Sequence, residues 1–539
     1  MSGRSVRLLA GVLLCSLFVA CGGGGGGGGG TSSVAPLDTD RDGHPDSTDA
    51  FPNDPSEWLD SDRDGVGDNK DRFPNDATET VDTDNDGIGD NADTDPLGQA
   101  IPAWTTYQAN AKHSGHIDIT LTTSNFKQRW STNLALSSAI SGAAGDGYIF
   151  LNQGGQLIAL DARTGTTLWT QSLAGDSFYG LNQPAYADGI VYVQTGGHED
   201  AFLWAFTAAN GAPVFKTKLE DQWSSFFPPT IVDGTVYIAG GYYGGMYAID
   251  AKTGAQKWWQ TLNQYDQFTP AISGGYAIAY TGQYSPKLTV ANRLTGNVDF
   301  EIPDPNFVWG GWSMNLAPVV AGDYVLANYQ GRLVAFNLAS KTLAWELGST
   351  FSGQPVVKGD QFYIINNGVI EGRAIATGAL VSTISGSNSF IGDPLLTNNL
   401  LFVRDAQNTY AYLLETGVLA WTLNNTSGGM LMAEGALVIF SATGVVATDL
   451  EGDIDADGLP DWWEKRLHKN INPTADTDGD GLTGLQEFNL NTNPTIADTD
   501  GDGLLDGEES SGASSPLIAD TDGDGLGDYA EIKTHLTDA

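Results

Sequence analysis

Cysteine is nearly absent from this chain: Cys15 and Cys21 are the only two in 539 residues, and both lie within the first 21. Stability must therefore come from something other than disulfides. Basic residues are also scarce, with 25 Lys and Arg against 66 Asp and Glu and a formal charge of −41. Such a charge repels nucleic acid and anionic headgroups alike. The six histidines, His44, His113, His116, His198, His468 and His535, form no metal-ligand spacing and read as solvated loop residues. No nucleophile motif is present. The apolar run Leu8–Val19 is too short for a comfortable membrane span.

What is present begins with a leader. Arg4 and Arg7 precede the apolar run, and Ala20 precedes Cys21, so residues 1–21 read as a secretory signal. The small residue before Cys21 resembles a bacterial lipoprotein signal, which implies cleavage before Cys21 and a lipid on its sulfur. Phe18 departs from the Leu usual in that family, and a plain secretory peptide or an uncleaved anchor is the alternative. Nine glycines, Gly22–Gly30, open residues 22–36, which have too few side chains to bury and read as a flexible tether.

The acidity is concentrated at the two flanks. Residues 22–97 carry −16 and residues 451–539 carry −18, whereas residues 98–450 carry only −9. The flanking acids keep a register. Asp38, Asp40, Asp42, Asp46 and Asp49, with Gly43 at the sixth place, recur 22 residues later as Asp60, Asp62, Asp64, Asp68 and Asp71. They recur again as Asp82, Asp84, Asp86, Asp90 and Asp93. Carboxylates at positions 1, 3, 5, 9 and 12 can surround one hard cation, with a backbone carbonyl at position 7 and glycine at 6 for the sharp turn. The spacing favours calcium over magnesium, which demands a tighter octahedron and keeps its waters.

The C-terminal flank ends each loop in Glu. Its loops are Asp453, Asp455, Asp457, Asp461, Glu464; Asp476, Asp478, Asp480, Glu487; Asp498, Asp500, Asp502, Asp506, Glu509; and Asp520, Asp522, Asp524, Asp528, Glu531. Gly484 stands at the ninth place of the second loop, so a water is expected to serve there at a weaker site. No amphipathic helix precedes the loops, which argues against full EF-hands, although short helices can follow at WWEKRL and LQEFNL. The period and the FPND tails of residues 37–97 resemble thrombospondin type-3 repeats, and residues 451–539 resemble their bacterial form. With few apolar residues, these segments depend on the metal for order.

Between the flanks, GGQLIALDARTGTTLW (Gly154–Trp169) recurs as GGMYAIDAKTGAQKW (Gly244–Trp258), with weaker copies ending at Phe215, Phe300, Trp345, Trp421 and Ser382. Alternating residues broken by a Thr-Gly or Asn-Gly pair read as a hairpin, and another hairpin half lies upstream of each copy. Four strands per repeat, at a period of roughly 37 to 48 residues, fit one propeller blade. Inner strands begin near Gly142, Pro184, Pro229, Pro270, Pro318, Pro355, Pro394 and Leu431, which predicts eight blades. The eighth lacks an outer strand, and Phe126–Leu134 is expected to supply it and close the ring. The fold class is mainly β: an eight-bladed β-propeller over residues 103–450, flanked by calcium-loop segments with little regular secondary structure.

Trp104–Trp130 followed by the A-x-D-x-x-T-G-x-x-x-W motif resembles the pyrroloquinoline-quinone-type propeller repeat, matched fully at Ala159–Trp169 and Ala248–Trp258. The resemblance implies that the Trp docks between blades, a structural role that says nothing of a cofactor. That superfamily holds quinone-dependent dehydrogenases and also the non-enzymatic BamB-type lipoprotein of outer-membrane assembly, whose size this propeller matches. The long insertions and vicinal cysteine pair of the dehydrogenases are missing, and Asp304-Pro305 and Asp393-Pro394 read as turns.

The connections from outer to next inner strand are rich in aromatics: DSFYG, DQWSSFF, QYDQF and NFVWGGW. Trp223, Tyr265, Trp309 and Trp312 are therefore expected to form a binding face at one channel mouth for a protein or carbohydrate partner. The sequence predicts a non-enzymatic, calcium-binding envelope lipoprotein, outer-membrane in location and touching the membrane only through its anchor, with an adhesive or binding propeller. A BamB-like assembly scaffold and a quinone-dependent dehydrogenase are the alternatives.

Overall fold

A computed structural model describes residues 36–82, 88–92, 100–134, 136, 142–173, 180–196, 201–220, 227–240, 244–262, 267–282, 286–308, 315–453, 455–467, 469–512, 514–522 and 525–535. The chain divides into two compact units, Met1–Val81 and Asp82–Ala539.

In the larger unit, eight antiparallel sheets each run from a short inner strand to an exposed outer one. The inner strands are Ala143–Gly145, Ala185–Ala187, Thr230–Val232, Ala271–Ser273, Val319–Ala321, Phe351–Lys358, Ile391–Leu396 and Gly429–Ala433. Each neighbours the next, and the last neighbours the first, so the sheets form a closed eight-bladed propeller. The alternation that marked the strands is paid out as burial. Phe150, Leu157, Val193, Leu203, Val236, Ile278, Val325, Phe362, Leu401 and Leu437 are all fully enclosed between sheets.

The expected closing strand is present. Lys127–Thr132 pairs antiparallel with Gly444–Asp449, from Lys127 opposite Asp449 to Thr132 opposite Val445, with a one-residue register shift between Gln128 and Trp130. One sheet is thus shared by the two ends of the propeller, and no blade is left with an open inner-to-outer edge there. The Arg129 guanidinium, 2.5 Å from Asp449, fixes the same joint with a part-buried ion pair.

The repeated aromatic and the repeated glycine turn out to be one device. Trp130, Trp169, Trp258 and Trp345 each lie over the turn glycine of the next blade, Gly165, Gly211, Gly296 and Gly378. A Cβ at Gly165 would sit 2.4 Å from the Trp130 ring. Each indole also donates to a carbonyl of that turn: Ala162 at 2.8 Å, Ala208 at 2.7 Å, Arg293 at 2.9 Å and Ile375 at 2.8 Å. At Gly254 the blade before offers Phe215, and Thr217 donates to the Gly254 carbonyl at 2.6 Å instead. The motif therefore locks blade to blade, as the resemblance implied.

A strap, residues 104–121, binds the inner strands in order around the ring. Trp104 exchanges backbone hydrogen bonds with Ala144, and the Tyr186 amide donates to the Thr105 carbonyl. The Thr106 hydroxyl donates to the Pro229 carbonyl at 2.6 Å. The amides of Ile272, Val320, Val357 and Leu396 then donate to Ala111, Lys112, Ser114 and Gly115. Gln108, Ala109 and His113 take positive φ to follow this curve. His113 is not solvated, as expected from sequence, but wholly buried. Its ring bridges the Pro318 carbonyl at 2.9 Å and the Thr230 hydroxyl at 3.1 Å.

After the ring come α1 (Asp461–Arg466), α2 (Gly484–Leu490) and α3 (Asp506–Glu509), each following an acidic loop. Leu459, Trp462, Trp463 and Ile471 form a small core of their own. This segment also touches the propeller: the Arg129 guanidinium lies 4.6 Å over the Trp462 ring, and Arg466 faces the Glu434 carboxylate at 3.6 Å. No described helix is long and apolar enough to cross a membrane.

Candidate metal centres and the channel mouth

The acidic loops fold by the same internal bonds wherever they are described. The glycine at position 6 takes φ near +100°, at Gly43, Gly65, Gly458, Gly481, Gly503 and Gly525, a conformation costly for any residue with a Cβ. Its amide donates back to the first Asp, as in Gly481 to Asp476 at 3.1 Å and Gly503 to Asp498 at 2.9 Å. The amide at position 7 donates to the fifth-position Asp, as in His44 to Asp42 and Leu504 to Asp502, both at 2.7 Å. These bonds turn the carboxylates at positions 1, 3 and 5 inward.

In consequence Asp38, Asp40 and Asp42 place carboxylate oxygens within 4.8 Å of one another, and so do Asp60, Asp62 and Asp64, Asp453, Asp455 and Asp457, and Asp476, Asp478 and Asp480. The ninth-position carboxylates face the second position as well. Asp46, Asp68, Asp506 and Asp528 each accept an amide and a hydroxyl from Thr39, Ser61, Thr499 and Thr521. At position 12, Asp49 and Asp71 are buried at the ends of their loops. Asp82, Asp90, Asp461, Asp498, Asp500, Asp520, Asp522 and Glu531 are described, whereas Asp84, Asp86, Asp93 and Asp524 lie outside the described residues.

The terminal glutamates are the most telling. Glu464, Glu487 and Glu509 are buried to 2% exposure or less. Both oxygens of Glu487 and Glu509, and one of Glu464, meet no hydrogen-bond donor. Burial, reinforced by the neighbouring aspartates, pushes all three carboxyls up to about 8, and Asp500 up to about 6. Buried, acceptor-only oxygens clustered without donors fit a hard divalent cation and little else. The residues that would hold it are those at positions 1, 3, 5, 9 and 12; its charge would supply what the loops lack, neutralisation of converging carboxylates.

The second candidate site is the channel mouth where outer strands lead to the next inner strand. Trp223, Tyr265, Trp309 and Trp312 all lie outside the described residues, as does Cys21. Of the rings beside them, Phe227 is buried and meets Tyr107 edge-on at 4.9 Å, Phe268 is fully buried, and Phe307 stacks on Tyr329 at 5.6 Å. Phe227 and Phe268 are core, and Phe307 is half-buried against it. Val308, by contrast, is 84% exposed.

A cavity of about 340 Å³ opens at this mouth, lined by Trp104, Tyr107, Phe227, Asp393, Arg404 and the backbone of Gly428. Asp393, read as a turn from sequence, lies instead within the inner strand Ile391–Leu396. It accepts from the Tyr107 hydroxyl at 2.5 Å and the Gln354 amide at 2.9 Å. Asp304 is more than a turn residue: fully buried, it takes a bidentate pair from Arg332 at 2.8 and 2.9 Å and the Tyr280 hydroxyl at 2.6 Å. An Asp-Pro pair reads as a turn from sequence, and only the strands brought alongside reveal the partners.

Comparison with known proteins follows the two halves of this description. The profile of the outer membrane protein assembly factor BamB matches residues 121–221 and 199–374. That of the bacterial TSP3 repeat matches residues 476–496, 498–511 and 520–535. The chain is 26% identical over 324 residues to the outer membrane protein assembly factor BamB of Yersinia pestis, covering 55% of this chain and 76% of that one. It is 28% identical over 228 residues to the quinoprotein alcohol dehydrogenase PedH of Pseudomonas putida, covering 37% of this chain and 34% of the dehydrogenase. The chain thus spans about a third of that relative's length. A solved quinohemoprotein alcohol dehydrogenase from Comamonas testosteroni superposes with a TM-score of 0.50 at 14% identity, over 64% of this chain and 80% of that one; the likeness is one of fold. The propeller is accordingly of the pyrroloquinoline-quinone-type, BamB-like repeat, and the segment after it is built of bacterial thrombospondin type-3 repeats.

Proposed function

We propose that the protein is a non-enzymatic, calcium-binding scaffold of the cell envelope, tethered through a lipid on Cys21, whose propeller mouth receives a protein partner. The observation that carries this reading is the mouth cavity. Its wall offers the Arg404 guanidinium, aromatic edges and glycine backbone beside Asp393, whose carboxylate is held by two hydrogen bonds: groups that can seat a peptide. Trp223, Tyr265, Trp309 and Trp312, in equivalent connections of successive blades, are the aromatic groups this reading assigns to the partner. BamB relatives supply the protein-scaffold precedent, and outer-membrane assembly is the nearest specific version of it. The orphaned glutamates support calcium.

A photo-crosslinking residue at the exposed Val308 tests the scaffold. It is expected to trap a defined envelope protein, and the adduct is expected to vanish in Trp309→Ala, Trp312→Ala protein. No adduct, together with quinone absorbance in the purified protein and quinone-dependent alcohol oxidation, would establish the dehydrogenase reading instead. Cys21→Ser is expected to move the protein from the membrane fraction to the soluble one.

A further inference from the structure

The second C-terminal loop lacks a ninth-position carboxylate because Gly484 has no room for one. A Cβ there would sit 2.7 Å from the Ile471 side chain and 2.8 Å from the Asn472 carbonyl. A water was the expected substitute. The structure brings a carboxylate from the next loop instead: Asp480, Glu487 and Asp506 place oxygens within 4.8 Å of one another, all three buried.

The neighbouring loop is held in that position by backbone. The Gly507 amide donates to the Asp480 carboxylate at 3.0 Å, and a Cβ on Gly507 would lie 2.3 Å from the Asp480 carbonyl. Only glycine allows so close an approach. Asp506 is oriented by its own loop, accepting from the Thr499 amide at 2.8 Å and hydroxyl at 2.6 Å. Each oxygen keeps a second lone pair. Glu487 supplies an independent sign of a missing ligand: it is fully buried within this cluster, and neither of its oxygens meets a donor.

We propose that Asp506 is shared between two adjacent calcium sites, completing the ligand set of the second loop while serving its own, so that the two loops bind as a coupled pair. This rests on the calcium reading above. It makes the second loop a full-strength site, not a weak one. The two ions, bridged by one carboxylate, become mutually dependent.

The test uses calcium titration of the full chain by isothermal calorimetry. Asp498→Asn disables the third loop at its first position without touching Asp506. Adding Asp506→Asn to that protein is expected to weaken one further ion by at least roughly tenfold, the same ion that Glu487→Gln weakens. Identical titrations for Asp498→Asn and for the double variant would overturn the proposal, because Asp506 would then act in its own loop alone. A second cycle, Glu487→Gln with Asp498→Asn, leaves Asp506 in place and guards against a variant that does not fold. Coupling predicts effects on the two ions that do not add, and additive effects would overturn it. If the unaltered chain binds no calcium at all, it is the calcium reading that fails.

Discussion

The propeller and the acidic loops that follow it treat buried charge in opposite ways. In the ring, enclosed carboxylates are answered by protein: the fully buried Asp304 by Arg332 and Tyr280, and the part-buried Asp449 and Glu371 by Arg129 and Arg373. In the loops, Glu487 and Glu509 are buried with no donor at all. Breaking a buried pair costs about 3–5 kcal/mol, so unanswered carboxylates can stay buried only if a cation arrives or they hold their protons. The ring is therefore self-sufficient and the loops are conditional, although both belong to one compact unit.

Removing calcium is the strongest way to break this contrast. Calorimetry in a chelator is expected to abolish the transition of the acidic segment and leave that of the ring nearly unmoved. Loss of both together would show the ring to be metal-dependent too. Next in size is Trp130→Ala, which empties the joint over Gly165 and removes the bond to Ala162. It should lower the ring's stability by about 3–5 kcal/mol with calcium binding unchanged, as read by chemical denaturation alongside a calcium titration.

Acid should move the two regions in opposite directions. Burial holds His113 down to about 4, below its usual 6.5 or so. The unfolded chain then binds the extra proton between those values, and the ring loses up to about 3 kcal/mol as pH falls through that window. Glu464, Glu487 and Glu509 sit at about 8 without metal. The metal-free loops therefore bind more protons folded than unfolded, and they lose stability as pH rises from the ordinary glutamate range to about 8. Thermal melts in chelator across pH 4 to 8 should show slopes of opposite sign; parallel slopes would remove the distinction. The smallest expected effect is at the joint between them. Gly435→Val would drive a side chain into Trp462, whose Cβ lies 2.2 Å from the place of a Cβ, and would strain the turn in which Gly435 holds φ +65°, at a cost of about 1–3 kcal/mol. Protease should then cleave residues 451–470 faster, and the ring's melting should fall by less than in Trp130→Ala.

The repeats made the ring legible. Strand alternation, the Thr-Gly turns and the incomplete eighth copy pointed to eight blades and to the closing role of residues 126–134, because each is written in side chains that pack. The loops were legible for the same reason in reverse, since acids at fixed spacing have few other uses. The strap was not. It holds seven inner strands chiefly through backbone groups, which leave no pattern in the sequence. His113 and Asp393 were misread because partners such as Pro318 and Tyr107 lie far away along the chain, whereas Asp304 does open a turn and gains Arg332 and Tyr280 besides. The place of Asp506 beside Glu487 depended on how one loop stacks on the next, a spacing in space and not in sequence. The four mouth aromatics fall outside the described residues and remain a proposal.

The strap and the closing strand also order events in time. Tyr107 meets Asp393 across 286 positions, and Lys127 pairs with Asp449 near the far end of the ring. The segment made first must therefore wait, unpaired, until the last blade has emerged. Contacts of such sequence separation slow folding by orders of magnitude relative to local ones. During that wait the inner strand edges stand open to other chains. A helper that shelters the nascent ring until residue 449 has emerged would cover the most vulnerable interval of its life.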